Sequence, residues 1–352
     1  MTQRWKQRPA GSNWGEFGPD DQRGRMNLVT REKVLQGIAE VKEGITFCLS
    51  LPLDYPGGSV LNPRRSPPRL ASTVRDSGKN KGGQNFCYPF SEDDADLTDV
   101  VCDDVVLLTL QYSSQWDSLA HVGSRFDADG DGKAEIVFYN GWRAGEHIRP
   151  ARENPSAEPW AKFEGTEARA LGIQNLAEHG AQGRGVMIDL HAHFNRERKA
   201  VGYDDLMRVL EKDRVAVERG DMVCLYTGFA DVILELKKKP DAKLLHGTCS
   251  GLDGRDDKLL GWITDSGLAC LIADNYAVEL IPASLTRPKP HAAMPLHEHC
   301  LFKNGIHLGE MWYLSELASW LRSHGRSRFL LTAPPLRLPG AVGSPPAPVA
   351  TV

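Results

Sequence analysis

The polar run Gln111-Tyr112-Ser113-Ser114-Gln115-Trp116-Asp117-Ser118-Leu119-Ala120-His121 follows an apolar stretch and contains one carboxylate and one imidazole. A carboxylate can hold a cation, and an imidazole titrates near neutral pH and can carry a proton. One Asp and one His after a strand serve structural hydrogen bonding equally well. Three other constellations offer chemistry. Asp127-Ala128-Asp129-Gly130-Asp131-Gly132 mimics the opening of an EF-hand loop, but Phe138 stands where the bidentate Glu must close it. An acidic turn between two segments is the better reading. Asp189-Leu190-His191-Ala192-His193 ends a strand in His-x-His, as a metal-dependent barrel presents its first ligands. Residues 194–352 are too few for the strand–helix units such a barrel still needs, in a fold of roughly 250 residues. His191 and His193 therefore either face a site from a strand end or are surface or packing side chains. There is no GxxxxGK[ST], no GxGxxG after a strand and no GxSxG elbow.

The elements that must position these residues read as alternating strands and helices. Thr30 caps a helix carrying Val34, Leu35, Ile38 and Val41, and Ile45 to Leu51 is a strand. Val105 to Tyr112 is a strand leading into the polar run. Gly185 to Leu190, Met222 to Thr227, Leu268 to Ala273 and Phe329 to Thr332 are further strands. Asp204 to Arg219, Phe229 to Lys238, Asp256 to Asp265 and Leu314 to Ser323 are helices. This alternation predicts α/β layering. Between residues 54 and 99, Pro and Gly break every long periodicity, marking an excursion that is either a lid or a subunit arm. The Pro-rich segment 334–352 suits subunit contacts or a loose chain end. No polar linker separates two cores, so residues 1–352 read as one domain.

The chain has 352 residues, of which 41% are hydrophobic and 25% charged, as in a globular protein rather than a disordered or coiled one. A net charge of -4 and a pI near 6.3 supply no basic excess, arguing against nucleic acid as a partner. Lys237-Lys238-Lys239, the longest basic run, caps a helix dipole. The most apolar stretches, such as Val105 to Leu110, fall far short of the roughly 18–20 residues of a membrane span. The N-terminus lacks the apolar core of a signal peptide. The seven scattered cysteines read as buried reduced thiols, so a cytoplasmic protein is expected.

The polar run gains meaning from the rest of the chain. It resembles the HxGTHxDxPxH signature of the cyclase-like metal-dependent hydrolases, the family of bacterial kynurenine formamidase and isatin hydrolase. Further segments resemble that family in the same order. Asn13-Trp14-Gly15 with Asp20 and Asp21 is similar to its opening, and Arg184 to Asp189 to its central strand. Gly220-Asp221-Met222-Val223 and Tyr226-Thr227-Gly228 are similar to a later strand and turn. Pro295-Leu296-His297 through Gly305 to Glu310 is similar to the late ligand segment. Pro335 to Gly340 and Gly343-Ser344-Pro345 are similar to the C-terminal strand.

The resemblance implies a swivelling β/β/α fold assembled as a homodimer, homotetramer or other homo-oligomer. It places a bridging metal ligand on Asp117, a proton shuttle on His121, and late ligands on His297 and Glu310. Gln111 and Gln115 fall where the family has its two early metal-binding histidines. An amide oxygen can coordinate, but it matches zinc less well than imidazole does. The implied cofactor is a divalent ion, zinc or manganese, and one ion or two. Trp14 falls where the family places an aromatic against the substrate ring, and Trp116 and Trp142 are further rings that could stack on a planar substrate, though each suits core packing equally. The expected partner is a small aromatic or cyclic substrate, with no nucleic acid and no membrane. The expected reaction is hydrolysis of a cyclic amide or imide, an arylformamide or a lactone. Cyclisation, dehydration or isomerisation on the same fold, and ligand binding without turnover, are the alternatives.

Overall fold

The computed structural model describes residues 3–156, 162–283 and 289–352. The framework begins with helix α1 (Arg31–Ala39), whose N-cap Thr30 accepts the Lys33 N–H, and strand β1 (Thr46–Cys48). Then come β2 (Gln115–Asp117), β3 (Gln182–Asp189), α2 (Tyr203–Asp213), β4 (Met222–Tyr226), α3 (Phe229–Glu235), α4 (Asp257–Asp265) and β5 (Cys270–Ala273). The chain closes with β6 (His307–Glu310), α5 (Ser315–Ser323), β7 (Arg328–Thr332), β8 (Gly343–Ser344) and β9 (Val349–Thr351).

These strands form one mixed sheet in the order β1-β9-β7-β3-β4-β5-β6-β2-β8. The β3-β4-β5-β6 centre is parallel, and the flanking pairs are antiparallel. Because successive side chains alternate sides, β4 sends Val223 and Leu225 into one apolar layer and Met222, Cys224 and Tyr226 into the other. The first layer is closed by Leu206 and Val209 of α2 and Leu259 and Ile263 of α4. The second is closed by Leu317, Ala318 and Leu321 of α5. A parallel sheet centre buried on both faces is what near-continuous apolar strands require. Among the described residues no helix is long and apolar enough to cross a membrane.

The structure departs from the sequence reading in five places. The apolar run expected as a strand over Val105 to Tyr112 splits: Asp104–Leu107 pairs with Arg69–Ser72 in a ribbon outside the main sheet, and the site strand is Gln115–Asp117 itself. A short apolar run specifies strand but not which sheet it joins. The helix expected to reach Arg219 stops at Asp213, because Arg214 turns left-handed at φ 54°. The helix expected to reach Lys238 stops at Glu235, so the lysines do not cap its last turn. Lys238 instead pairs with Asp54 at the start of the excursion. Gly57, at φ +90°, lies against the Lys238 backbone where a Cβ would approach Lys238 O to 2.4 Å. The Pro-rich end is not loose: Gly343–Ser344 pairs with β2, and Val349–Thr351 lies between β1 and β7. Finally, Cys48, Cys87 and Cys102 are exposed, whereas Cys224, Cys249, Cys270 and Cys300 are buried.

Candidate metal centre

Strand β2 supplies the first ligand candidate. It is buried between β6 and β8, with Leu308 opposite Asp117, Gly309 opposite Trp116 and Glu310 opposite Gln115. Alternation sends Gln115 and Asp117 to one face of the sheet and Trp116 to the other. Cross-strand pairing then sets Glu310 beside Gln115, whose Nε2 donates to Glu310 Oε2 at 2.9 Å. His297 arrives from the helical turn Pro295–His297, which runs into the π-helical turn Glu298–Lys303. Its Nε2 lies 3.1 Å from Glu310 Oε1. Ligand atoms of Asp117, His297 and Glu310 all fall within 4.8 Å of one another, and all three residues are buried.

A divalent ion fits this trio on three counts. Oδ2 of Asp117 is buried with no hydrogen-bond partner among the described residues. An unpaired buried acceptor costs about 1–3 kcal/mol, and a charged one more, so the atom is poised for a ligand. One imidazole and two carboxylates also form a catalytic type of donor set that leaves coordination positions open. Third, negative charge is crowded: burial and the neighbouring Asp117 charge push the Glu310 carboxyl above its ordinary range, and the hydrogen bond to His297 only partly offsets them. Burial disfavours the His297 imidazolium, yet hydrogen bonds to Glu279 and Glu310 outweigh that and raise its pKa.

Glu279 carried no signal in the sequence. Its Oε1 sits 2.7 Å from His297 Nδ1 and accepts the His297 N–H at 3.0 Å, while Oε2 accepts the Leu296 N–H at 3.2 Å. The carboxylate thus fixes the imidazole so that Nε2 faces Asp117 and Glu310. His121 stands on the opposite flank, with Nε2 3.8 Å from Asp117 Oδ1. Burial lowers its pKa, the Asp117 charge opposing, so the ring is neutral at neutral pH.

The two glutamines, expected as ligands, make other contacts in this structure. Oε1 of Gln115 accepts from Nη1 of Arg65 at 3.2 Å, which turns the amide NH2 toward Glu310 and, at 3.3 Å, Asp117 Oδ1. In this arrangement Gln115 donates to both carboxylates and gives its oxygen to Arg65. Gln111 gives its backbone O to Arg65 Nη1 at 2.6 Å, and its side-chain amide leans on Gly343, where a Cβ would meet Nε2 at 2.4 Å.

Trp14 and Trp116 are corrected as well, because both are core side chains. Trp14 is 1% exposed, donates Nε1–H to Phe302 O and meets Trp5, Phe126 and Phe302 edge-on. Trp116 is 0% exposed, donates to Ala333 O and meets Trp312 edge-on. The third ring, Trp142, is buried under the Arg4 guanidinium. His191 and His193 lie outside the trio: His191 Nδ1 sits beside Asn195 O and Thr227 O, and His193 pairs with Asp213. The Asp127 carboxylate accepts the backbone N–H groups of Gly130, Asp131 and Gly132 in a turn between the paired strands Ser124–Phe126 and Glu135–Val137.

His121, His297 and Glu310 open into a cavity of about 1020 Å³. One wall is the start of the excursion, with Pro56, Leu61, Arg64 and Arg65. Tyr276, Ile281 and Met294 face it. The residue 54–99 segment therefore lines the cavity at its beginning, while Arg69–Ser72 within it forms one strand of the exposed ribbon.

A mixed sheet covered on both faces, with a carboxylate–imidazole cluster at the end of its parallel centre, defines an α/β enzyme-like scaffold. The chain belongs to the Cyclase family, which it matches over residues 49–280. It is similar to a crystal structure described as a novel cyclase, with 30% identity over 97% of both chains and a TM-score of 0.71. Isatin hydrolase A from Ralstonia solanacearum shares the fold at 14% identity, covering 91% of this chain and 97% of that one, with a TM-score of 0.53. Isatin hydrolase A from Labrenzia aggregata, bound to benzyl benzoate, does so at 12% identity, with the same coverage and a TM-score of 0.51. No curated protein matches the chain by sequence.

Proposed function

We propose that this cyclase-family chain is a metal-dependent hydrolase that opens a cyclic amide or imide, an arylformamide or a lactone. The observation that carries this reading is the buried convergence of Asp117, His297 and Glu310, with Asp117 Oδ2 unpartnered among the described residues and His297 and Glu310 lining a cavity. These three residues would hold the divalent ion. When bound, such an ion lowers the pKa of a coordinated water toward roughly 7 and polarises a carbonyl.

The protein supplies the rest. Glu279 fixes the His297 ring, so that site geometry is set before substrate arrives. His121, neutral beside Asp117, can take a proton at Nε2 and return it to the departing nitrogen or oxygen. Pro56 and Leu61 give the cavity an apolar wall against which the body of a substrate can lie. Zinc and manganese are the ions proposed, one per chain.

The test combines elemental analysis with turnover of isatin, N-formylkynurenine and simple aryl lactones, with zinc or manganese added. Stoichiometric metal with hydrolysis of at least one class is expected. Stoichiometric metal without hydrolysis favours cyclisation, dehydration or plain binding, and no retained metal overturns the reading.

For assembly we infer a homo-oligomer. The ribbon of Arg69–Ser72 with Asp104–Leu107 exposes Leu70, Val105 and Val106, and a two-stranded ribbon is marginal alone in water. Light scattering checks this; a monomer at micromolar concentration would refute it.

A further inference from the structure

Arg64 and Arg65 come from the excursion and line the cavity beside Glu310 and His121. Among the described residues neither guanidinium is paired with a carboxylate. Arg64 Nε reaches only the neutral amide oxygen of Asn62, at 3.4 Å. Arg65 is anchored through one nitrogen, Nη1, to Gln111 O and Gln115 Oε1. Among the described residues its Nη2 and Nε take no acceptor, and they are not sealed from the cavity. A planar guanidinium held by one edge presents the other as a preformed fork for a carboxylate.

The anchors are informative. Arg65 is tied to the two glutamines that replace the early histidines, so a fixed positive charge stands beside the position where the sequence resemblance expects another ion. Glu310 is the one carboxylate among the described residues lining this cavity, and it faces His297 and Gln115. Among the described residues, therefore, no anion satisfies the Arg64–Arg65 wall.

We propose that Arg65, supported by Arg64, is the specificity-determining residue of this cavity and binds an anionic group of the substrate, a carboxylate next to the planar ring or acyl group being opened. This rests on the proposed hydrolase only in calling the ligand a substrate; the binding itself needs no turnover. The substrate class then narrows to carboxylate-bearing amides, formamides or lactones, with their neutral analogues disfavoured.

The test is calorimetric titration of the full chain, as purified and after zinc or manganese addition, with benzoate and with its neutral analogue benzamide. Benzoate is expected to bind about tenfold or more tighter than benzamide. In Arg65→Gln that preference disappears, while metal content and thermal midpoint stay unchanged. Arg65→Lys restores part of it, because the charge returns without the fork. Equal binding of the two probes to the wild type overturns the proposal. So does an undiminished benzoate preference in Arg65→Gln, which would make the bound ion the reader of the anion. Loss of metal or fold in Arg65→Gln, with no recovery of the preference in Arg65→Lys, assigns Arg65 a buttressing role and also overturns it. All these readouts remain interpretable if no hydrolytic activity is ever found.

Discussion

Nδ1 of His297 lies 2.7 Å from Oε1 of Glu279, and the same carboxylate gathers the backbone N–H groups of Leu296 and His297. The ring is thereby oriented before any cation arrives, with its other nitrogen aimed at Glu310 and Asp117. A carboxylate behind a metal-binding imidazole fixes its tautomer and raises its basicity. Glu279→Gln should lower affinity for zinc by roughly 10–100-fold, read by titration against a chelating dye. His297→Ala should lose the ion altogether. Unchanged affinity in Glu279→Gln would mean that His297 is not a ligand.

His121 is set apart from the trio by its 3.8 Å approach to Asp117 Oδ1. As a proton carrier it should matter to turnover rather than to metal retention. His121→Ala is expected to lower kcat by roughly 10²–10⁴-fold with the metal content of the wild type. Loss of the ion in that variant would assign His121 to coordination instead.

Two other histidines make stability depend on pH. Burial lowers the pKa of His299 to about 4 and that of His307 to about 3, so both are neutral in the folded protein. Unfolded, each titrates near 6.5, so below that pH the unfolded chain binds more protons. Their contribution is complete above about pH 6.5 and falls as pH drops toward the folded values, reaching a loss on the order of 2 kcal/mol each by about pH 5. Asp274, raised to about 6 by burial, acts with the opposite sign, because its folded form binds the proton more readily. The readout is therefore a difference. The gap in urea midpoint between wild type and His307→Gln should narrow between pH 7 and pH 5. Parallel curves would show that His307 titrates alike in the folded and the unfolded chain.

Between the end of the excursion and the strand that follows it, the Sγ atoms of Cys87 and Cys102 stand 3.7 Å apart, and Cys87 N–H donates to Cys102 Sγ at 3.1 Å. Their hydrogen bond raises the Cys87 thiol pKa, so exchange should be slow at neutral pH and quicken as pH rises. Oxidised glutathione should convert the pair to a disulfide, with the glutathione reduced, while the four buried cysteines stay free. Closing a loop of this size stabilises by about 3 kcal/mol in the chain-entropy picture. Peptide mapping without reductant should show the cross-link, and Cys87→Ser should abolish it. A mixed disulfide with glutathione that never resolves would contradict the pairing.

Legibility differed by element for physical reasons. The strands over Gly185 to Leu190, Met222 to Thr227 and Leu268 to Ala273 were visible because a sheet buried on both faces needs unbroken apolar runs. The Thr30 cap and the amphipathic stretch starting near Asp204 were visible because capping and helical periodicity are local. Val105 to Leu110 misled because its apolar residues serve a ribbon outside the core. Trp14 and Trp116 stay open between stacking and core packing in the sequence, because residue type does not reveal which face of a strand or loop a ring occupies.

Asp117, His121, His297 and Glu310 were readable as a candidate set from residue type and order along the chain. Their meeting was not, since Asp117 and Glu310 become neighbours only through the antiparallel register of β2 and β6. Nor did the sequence disclose Glu279, or that Arg65 would hold Gln115 with its donor toward the carboxylates. Local chemistry writes the helices, the strands and the inventory of reactive groups. Which side chains share one buried pocket, and which end of an amide faces it, depends on long-range packing and hydrogen bonding that only the folded chain decides.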